Sequence, residues 1–210
     1  MPYIVRFIPV FIVLTLLCCM PSGTHADTGL AKQVFQEMNV ARTDPRSYAG
    51  FLREFRRQFQ GKMYRLPGSS RRMMTEEGTA AVDEAIRFLS RQKSLPPLVW
   101  STGLAAAAAE LARDEGKSGD VGHNGRQSGG MQERIERHGT WSGGIGENIS
   151  YGHDEARLVV IQLIVDDGVP DRGHRRNLFN SSTGTAGVAC GSHPRFRSMC
   201  VIDMAGRFRE

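Results

Sequence analysis

Near the C-terminus, residues 185–191 (TAGVACG) and 198–205 (SMCVIDMA) flank a short loop containing His193-Pro194, and each segment carries one cysteine. Two apolar, strand-like runs at this spacing predict a β-hairpin. The hairpin constrains the fold more than any other stretch, because side chains alternate faces along a strand and a one-residue slip inverts all of them. Cys190 and Cys200 bridge the two arms if the register sets them opposite each other. Two buried free thiols are the alternative.

The other two of the four cysteines, Cys18 and Cys19, fall in an N-terminal segment with the layout of an export signal. Arg6 precedes an apolar run from Ile8 to Cys19, Pro21-Ser22-Gly23 break it, and Thr24-His25-Ala26 offers a cleavage site. Residues 1–26 are therefore expected to be a signal peptide, with an uncleaved anchor as the alternative. Residues 27–210 form a single domain, as the total length of 210 residues suggests. Export places the protein in a secreted or periplasmic setting, where an even pair of cysteines forms a disulfide. After cleavage nothing predicts an integral membrane protein. Nucleic acid is a poor candidate partner for an exported chain.

At 40% hydrophobic and 23% charged residues, the composition excludes global disorder, collagen and a multi-span membrane protein. The net charge of +5 is unevenly spread. Between Arg42 and Arg72 nine basic residues face only Asp44 and Glu54. Such a patch could hold lipid headgroups or an envelope polymer. The plainer reading is a solvated helix face and loop.

Apolar spacing predicts helices over 29–42 and 47–59, separated by Asp44-Pro45, where Asp44 can cap and Pro45 can occupy a first turn. A loop over 61–78 follows. Val82, Ile86 and Leu89 mark another helix, ended by Pro96-Pro97. Ser101 caps an alanine-rich helix carrying Leu104 and Leu111. The stretch Gly116–Gly130, with six glycines, reads as loop. Residues 154–165 (DEARLVVIQLIV) read as a buried helix with Asp154 as its cap, and a strand is the rival for its apolar part.

The chemistry concentrates between residues 120 and 180. Gly122-His123-Asn124 lies in the glycine-rich loop, Gly146-Glu147-Asn148 follows Gly143-Gly144, and Arg172-Gly173-His174-Arg175-Arg176-Asn177 follows the apolar helix. Neutral imidazoles are good ligands for Zn or another divalent metal, and carboxylates can orient them. Two protein ligands make only a weakly bound ion, and the same residues could form a polar network with no metal. Glu147 beside a histidine is a candidate acid–base group. There is no HExxH pair, no GxSxG elbow and no cysteine left over as a nucleophile. His138, His153 and His193 read as surface residues, Trp141 as a packing residue, and Arg175 and Arg176 as partners of Asp166, Asp167 or Asp171.

The segments GHNG, GENIS, VVIQLIVDDGVPDRGHRRNLFN and GVACGSHPRFRSMCVIDMAG, with MNVARTDPRSYAGFL, resemble the CAP superfamily of cysteine-rich secretory, antigen 5 and pathogenesis-related proteins. The likeness is to the bacterial-type SCP domain and covers roughly residues 30–208. It implies an α+β fold: a three-layer α-β-α sandwich with a small, mainly antiparallel sheet between helices. It also implies a cleft built from His123, Glu147, Asp166 and His174. The family's second acid usually follows a tryptophan by three residues, and here Leu163 and Asp166 occupy those places, with Asp167 as the neighbouring alternative. The resemblance implies a non-enzymatic binding module for a lipid, an envelope component or a partner protein. A metal-dependent, peptidase-like hydrolase using the paired histidines, with Glu147 or Asp166 as the candidate catalytic acid–base group, is the alternative.

Overall fold

The computed structural model describes residues 28–210, so the signal-peptide reading of 1–26 lies outside the described residues. Helices α1 (Thr28–Thr43), α2 (Pro45–Arg56) and α3 (Thr79–Arg91) come first. Between α2 and α3 lie three two-residue strands, β1 (Phe59–Gln60), β2 (Met63–Tyr64) and β3 (Met73–Met74), paired antiparallel as a small sheet. The main sheet has the order β4-β6-β7-β5, built from β4 (Val99–Trp100), β5 (Thr140–Tyr151), β6 (Thr185–His193) and β7 (Arg197–Arg209). Only the β4–β6 pairing is parallel. Helices α4 (Thr102–Ser118), α5 (Met131–Glu136), α6 (Ala156–Val165) and α7 (Gly173–Leu178) complete the chain. Among the described residues no helix is long and apolar enough to cross a membrane.

The two faces of the main sheet separate by strict alternation. Ala186, Val188, Cys190, Cys200, Ile202 and Met204 join the core formed with α1, α2, α3 and α6. Ala189, Met199, Val201 and Ala205, with Ile149 of β5, pack on α4 and α5 from the other side. A sheet buried on both faces between helices gives the expected α-β-α sandwich. The hairpin register places Cys190 directly opposite Cys200, and the two sulfurs are bonded in the fully buried first core. Gly187 lets α4 approach: a Cβ there would stand 2.0 Å from the Ala105 amide nitrogen.

Local signals behave as the chain dictates at several ends. The Asp44 side chain accepts the Ser47 N–H at 3.1 Å with Pro45 in the first turn, and Ser101 accepts the Leu104 N–H at 3.1 Å. Asp154, by contrast, caps nothing. Helix α6 starts at Ala156, with Glu155 at the capping position and no side-chain cap bond. Burial of Val159, Val160, Leu163 and Ile164 holds this helix instead. The predicted second helix stops at Arg56, and Phe59 joins β1. The 61–78 loop contains β2 and β3, each too short to show a period. Strand β5 escapes a periodicity reading because Gly143 and Gly144, at φ +77° and +94°, form an irregularity between Ser142 and Ile145.

Arg42 corrects the basic-patch reading. It is buried in α1, and its guanidinium donates to the carbonyls of Leu178 (2.6 Å), Asn180 (3.2 Å), Thr183 (3.2 Å) and Pro96 (3.3 Å). It ties the first helix to the segment entering β6, while Arg53, Arg57, Arg65, Arg71 and Arg72 are exposed. Arg42→Met strands those buried carbonyls and is expected to lower stability by about 2–4 kcal/mol. Exposed Arg53→Ala is expected to change it by less than about 0.5 kcal/mol, both measured by urea unfolding.

Candidate functional site

The first half of the site forms where the glycine-rich loop folds back on α5 and β5. Gly119, at φ +75°, ends α4 in the left-handed conformation. Beyond it, the Asp114 carboxylate accepts the N–H groups of Gln127 (2.7 Å) and Ser128 (2.8 Å), which pins the loop. Arg134 of α5 is completely buried. It donates to the carbonyls of His123 (3.2 Å) and Gly129 (2.6 Å), and to Glu147 Oε2 (2.5 Å). Glu147 Oε1 lies 2.8 Å from His123 Nδ1. A carboxylate accepts, so His123 Nδ1 is the donor, on a half-exposed ring whose Nε2 has no hydrogen-bond partner among the described residues. The bond to Glu147 raises the His123 pKa above its ordinary value.

Two further acids lie beneath this arrangement, and neither was singled out from the sequence. Asp203 of β7 pairs across the ladder with Glu147 and is fully buried, with neither oxygen accepting a hydrogen bond from another side chain or the backbone. Burial first, and the neighbouring Glu147 second, push the Asp203 carboxyl well above the usual range. Arg134 sits against Glu147, whereas no cation faces Asp203 among the described residues. Glu115 of α4 is buried too and accepts the Tyr151 hydroxyl at 2.7 Å, while that hydroxyl accepts the Gly122 N–H at 3.0 Å. Burial pushes the Glu115 carboxyl up to about 6. An aspartate inside the apolar run SMCVIDMA was the one sequence signal for this cluster. Arg134, in the polar stretch MQERIERH, gave none.

The second half forms at the end of α6. Asp166 takes the left-handed conformation (φ 56°, ψ 44°) as the C-cap, with its N–H donating to the Gln162 carbonyl at 2.8 Å. Aspartate tolerates this geometry better than most residues. Its buried carboxylate meets His174 Nδ1 at 2.6 Å and accepts the His174 N–H at 2.9 Å. Asp167 turns away and accepts the N–H groups of Glu76 (2.6 Å) and Glu77 (2.9 Å). The arginine pairings differ from those expected. Arg175 caps α6 through the carbonyls of Ile164 and Val165 and pairs with Glu84, and only Arg176 meets an expected partner, Asp171.

The two halves lie on opposite sides of edge strand β5 and are joined by consecutive residues of it. Glu147 points toward α4 and α5 and holds His123. Asn148 points the other way, and its side-chain amide donates to the His174 carbonyl at 3.0 Å. Asn177 closes the link, donating to Asn148 Oδ1 (2.9 Å) and to the Glu147 carbonyl (3.3 Å). His174 lines a largely apolar cavity of about 240 Å³ between α6 and the small sheet. His123 borders an open hollow with Asn124, Met131 and Glu133. Neither lining contains the other histidine. Among the described residues no group of three or more His, Cys, Asp or Glu side chains is placed to hold a metal ion. What remains for a divalent ion is the two Nε2 atoms, each backed by a carboxylate, which fits an open, low-affinity contact and not a closed site.

The remaining histidines are not the surface residues their sequence context suggests. His193 is buried, donating to the Asp120 carbonyl at 2.8 Å, and its Nδ1 accepts the N–H groups of Arg195 and Phe196. His153 is buried and lines the apolar cavity, where burial lowers its pKa. His138 is partly buried and lies 2.6 Å from Glu110. Trp141 packs beside Leu104 and Ile135, as expected.

Residues 36–204 match the sequence model of the cysteine-rich secretory protein family, CAP. No curated protein sequence matches the chain. Three solved bacterial structures are similar. An extracellular protein containing a SCP domain from Bacillus anthracis is 22% identical with a TM-score of 0.45, over 53% of this chain and 34% of that one. An outer surface protein from Borrelia burgdorferi is 20% identical with a TM-score of 0.45, over 54% of this chain and 80% of that one. A cysteine-rich secretory protein from Staphylococcus aureus is 15% identical with a TM-score of 0.40, over 69% and 46%. The match thus spans about a third of the Bacillus protein's length and under half of the Staphylococcus one's.

The buried acids make stability depend on pH. Glu115 has a folded pKa of about 6 against an ordinary 4.5. Its contribution is complete below the lower value and lost as pH rises through the upper one. Glu115→Gln, which still accepts from Tyr151, is expected to be more stable than the parent above pH 6 by on the order of 2 kcal/mol. The gain is expected to vanish near pH 4.5, as read by urea unfolding at several pH values.

Proposed function

The chain belongs to the cysteine-rich secretory protein family, and on that premise we propose that it works outside the cytoplasm as a non-enzymatic binding module for a lipid or lipid-like envelope component. The observation that carries this reading is the cavity between α6 and the small sheet. Phe55, Phe59, Leu158, Ile161 and Val169 supply apolar walls, and His174 with Asp166 stands at one side. A volume of about 240 Å³ lies just below the usual range for small-molecule sites, which suits part of a chain and not a bulky polycycle. Each methylene taken from water contributes about 0.8 kcal/mol. Six would supply about 5 kcal/mol before the loss of motional freedom is counted, so the chain needs a polar anchor as well.

The hydrolase reading has one observation in its favour: two imidazoles held by carboxylates at Nδ1, each with Nε2 free of a hydrogen-bond partner among the described residues, the arrangement of a general base. A divalent ion at those nitrogens would supply an activated water. Glu147 and Asp166 would then orient the imidazoles. Among the described residues no hydroxyl or thiol donates to either Nε2, so neither pair is poised with a nucleophile of its own.

Dodecanol is the neutral probe for the cavity. Saturable binding to the mature protein is expected, retained in His123→Ala and reduced at least about tenfold in Leu158→Trp, whose partly exposed side chain would fill the space. Loss of binding in His123→Ala, or zinc-dependent peptide turnover abolished by His123→Ala/His174→Ala, would favour the hydrolase.

A further inference from the structure

The anchor that the cavity lacks stands on the far side of its wall. Phe59 and Tyr64, whose ring centroids are 5.1 Å apart, line the apolar cavity on one side. They also line a second hollow, about 270 Å³, with Arg57, Gln58, Gln60, Met63, Arg65 and Arg72. No acidic side chain lines this hollow.

The geometry of the small sheet brings these arginines together. Tyr64 pairs with Met73, so Arg65 and Arg72 are the next facing positions beyond the β2–β3 ladder. The Arg65 N–H donates to the Gln58 carbonyl at 3.2 Å, which sets Arg65 beside the end of α2 and Arg57. Like charges at facing strand positions repel. Neither Arg65 nor Arg72 has a side-chain partner among the described residues, although Arg56, Arg126, Arg137, Arg157, Arg172, Arg175 and Arg176 all do. Arg57 has one, Glu54, in a pair exposed at both ends and so of little strength. An anion between the guanidinium groups relieves the repulsion and matches their planar donors.

We propose that Arg57, Arg65 and Arg72 form an anion-binding subsite, and that the ligand is an amphipathic anion with a carboxylate or phosphate head and a single apolar chain. The head sits on the arginines and the chain passes the Phe59–Tyr64 wall into the apolar cavity. The proposal rests on the reading of that cavity as a ligand site and adds the charge and place of the head. Three of the nine basic residues between Arg42 and Arg72 thus line one hollow, against the same two rings that wall the apolar cavity.

The test compares dodecanoate, dodecyl phosphate and dodecanol on the mature protein, with vesicles of phosphatidylglycerol as a separate arm. Dodecanoate or dodecyl phosphate is expected to bind at least about tenfold more tightly than dodecanol. Arg65→Gln/Arg72→Gln is expected to bring the anions down to the dodecanol level and leave dodecanol unchanged. Raising salt from about 0.05 to about 0.5 M is expected to weaken only the anions. Both arginines are exposed, so an unchanged unfolding midpoint in the variant shows that the fold is intact. Equal affinities for dodecanoate, dodecyl phosphate and dodecanol would overturn the anion subsite while leaving the cavity reading in place. No binding of any free amphiphile would overturn both. Binding to vesicles alone, unaffected by Leu158→Trp, would mean adsorption to a charged surface and would also overturn the proposal.

Discussion

A guanidinium and a carboxylate shut away from water organise this molecule's polar centre. Arg134 and Glu147 are both buried, with Arg134 donating to Glu147 Oε2 at 2.5 Å. A buried pair of this kind contributes little net stability against an apolar replacement, yet losing one partner leaves a charge without compensation. The pair therefore fixes conformation. Arg134 must donate to the Gly129 and His123 carbonyls, which gives the glycine-rich loop one shape. Glu147 must keep one oxygen for Arg134, which leaves the other for His123. Beneath it, burial first and the neighbouring Glu147 second push the Asp203 carboxyl well above the usual range.

Strand β5 transmits that order to the other side of the sheet. As the edge of the main sheet it pairs with β7 along one flank. Successive residues point to opposite faces. Glu147 thus serves His123 while Asn148 holds the His174 carbonyl, and Asn177 locks the two together. The His174 half is stiffened independently by Asp166, whose carboxylate both accepts the His174 N–H and orients the ring. Each imidazole is held by a carboxylate, and the apolar cavity opens beside only one of them. That asymmetry separates the apolar cavity beside His174 and the small sheet from the acid-rich half around His123.

The sequence made the hairpin legible because alternation and two cysteines select one register, and Cys190 does face Cys200. The caps at Asp44 and Ser101 were legible because each needs only a few neighbouring residues. His123, Glu147, Asp166 and His174 were reached through a family likeness, and the coordinates pair them as two dyads. The positions that escaped share one cause. Arg42, Arg175, Glu115 and His193 are polar residues with partners far along the chain, and Arg134 meets Glu147 only once the glycine-rich loop folds back, so local context marks them as surface. Strand β5 escaped because glycines interrupt its pattern where it must bend. The small sheet escaped because two-residue strands have no period.

A double-mutant cycle on Arg134 and Glu147 tests the organising role of the pair most directly. Stability would be measured by urea unfolding for Arg134→Met, Glu147→Leu and both together. The predicted result is a loss of about 3–5 kcal/mol in each single variant and a combined loss well below their sum, because removing both partners leaves no uncompensated charge. Losses that simply add would contradict it and would mean that the two residues stabilise the fold through separate contacts.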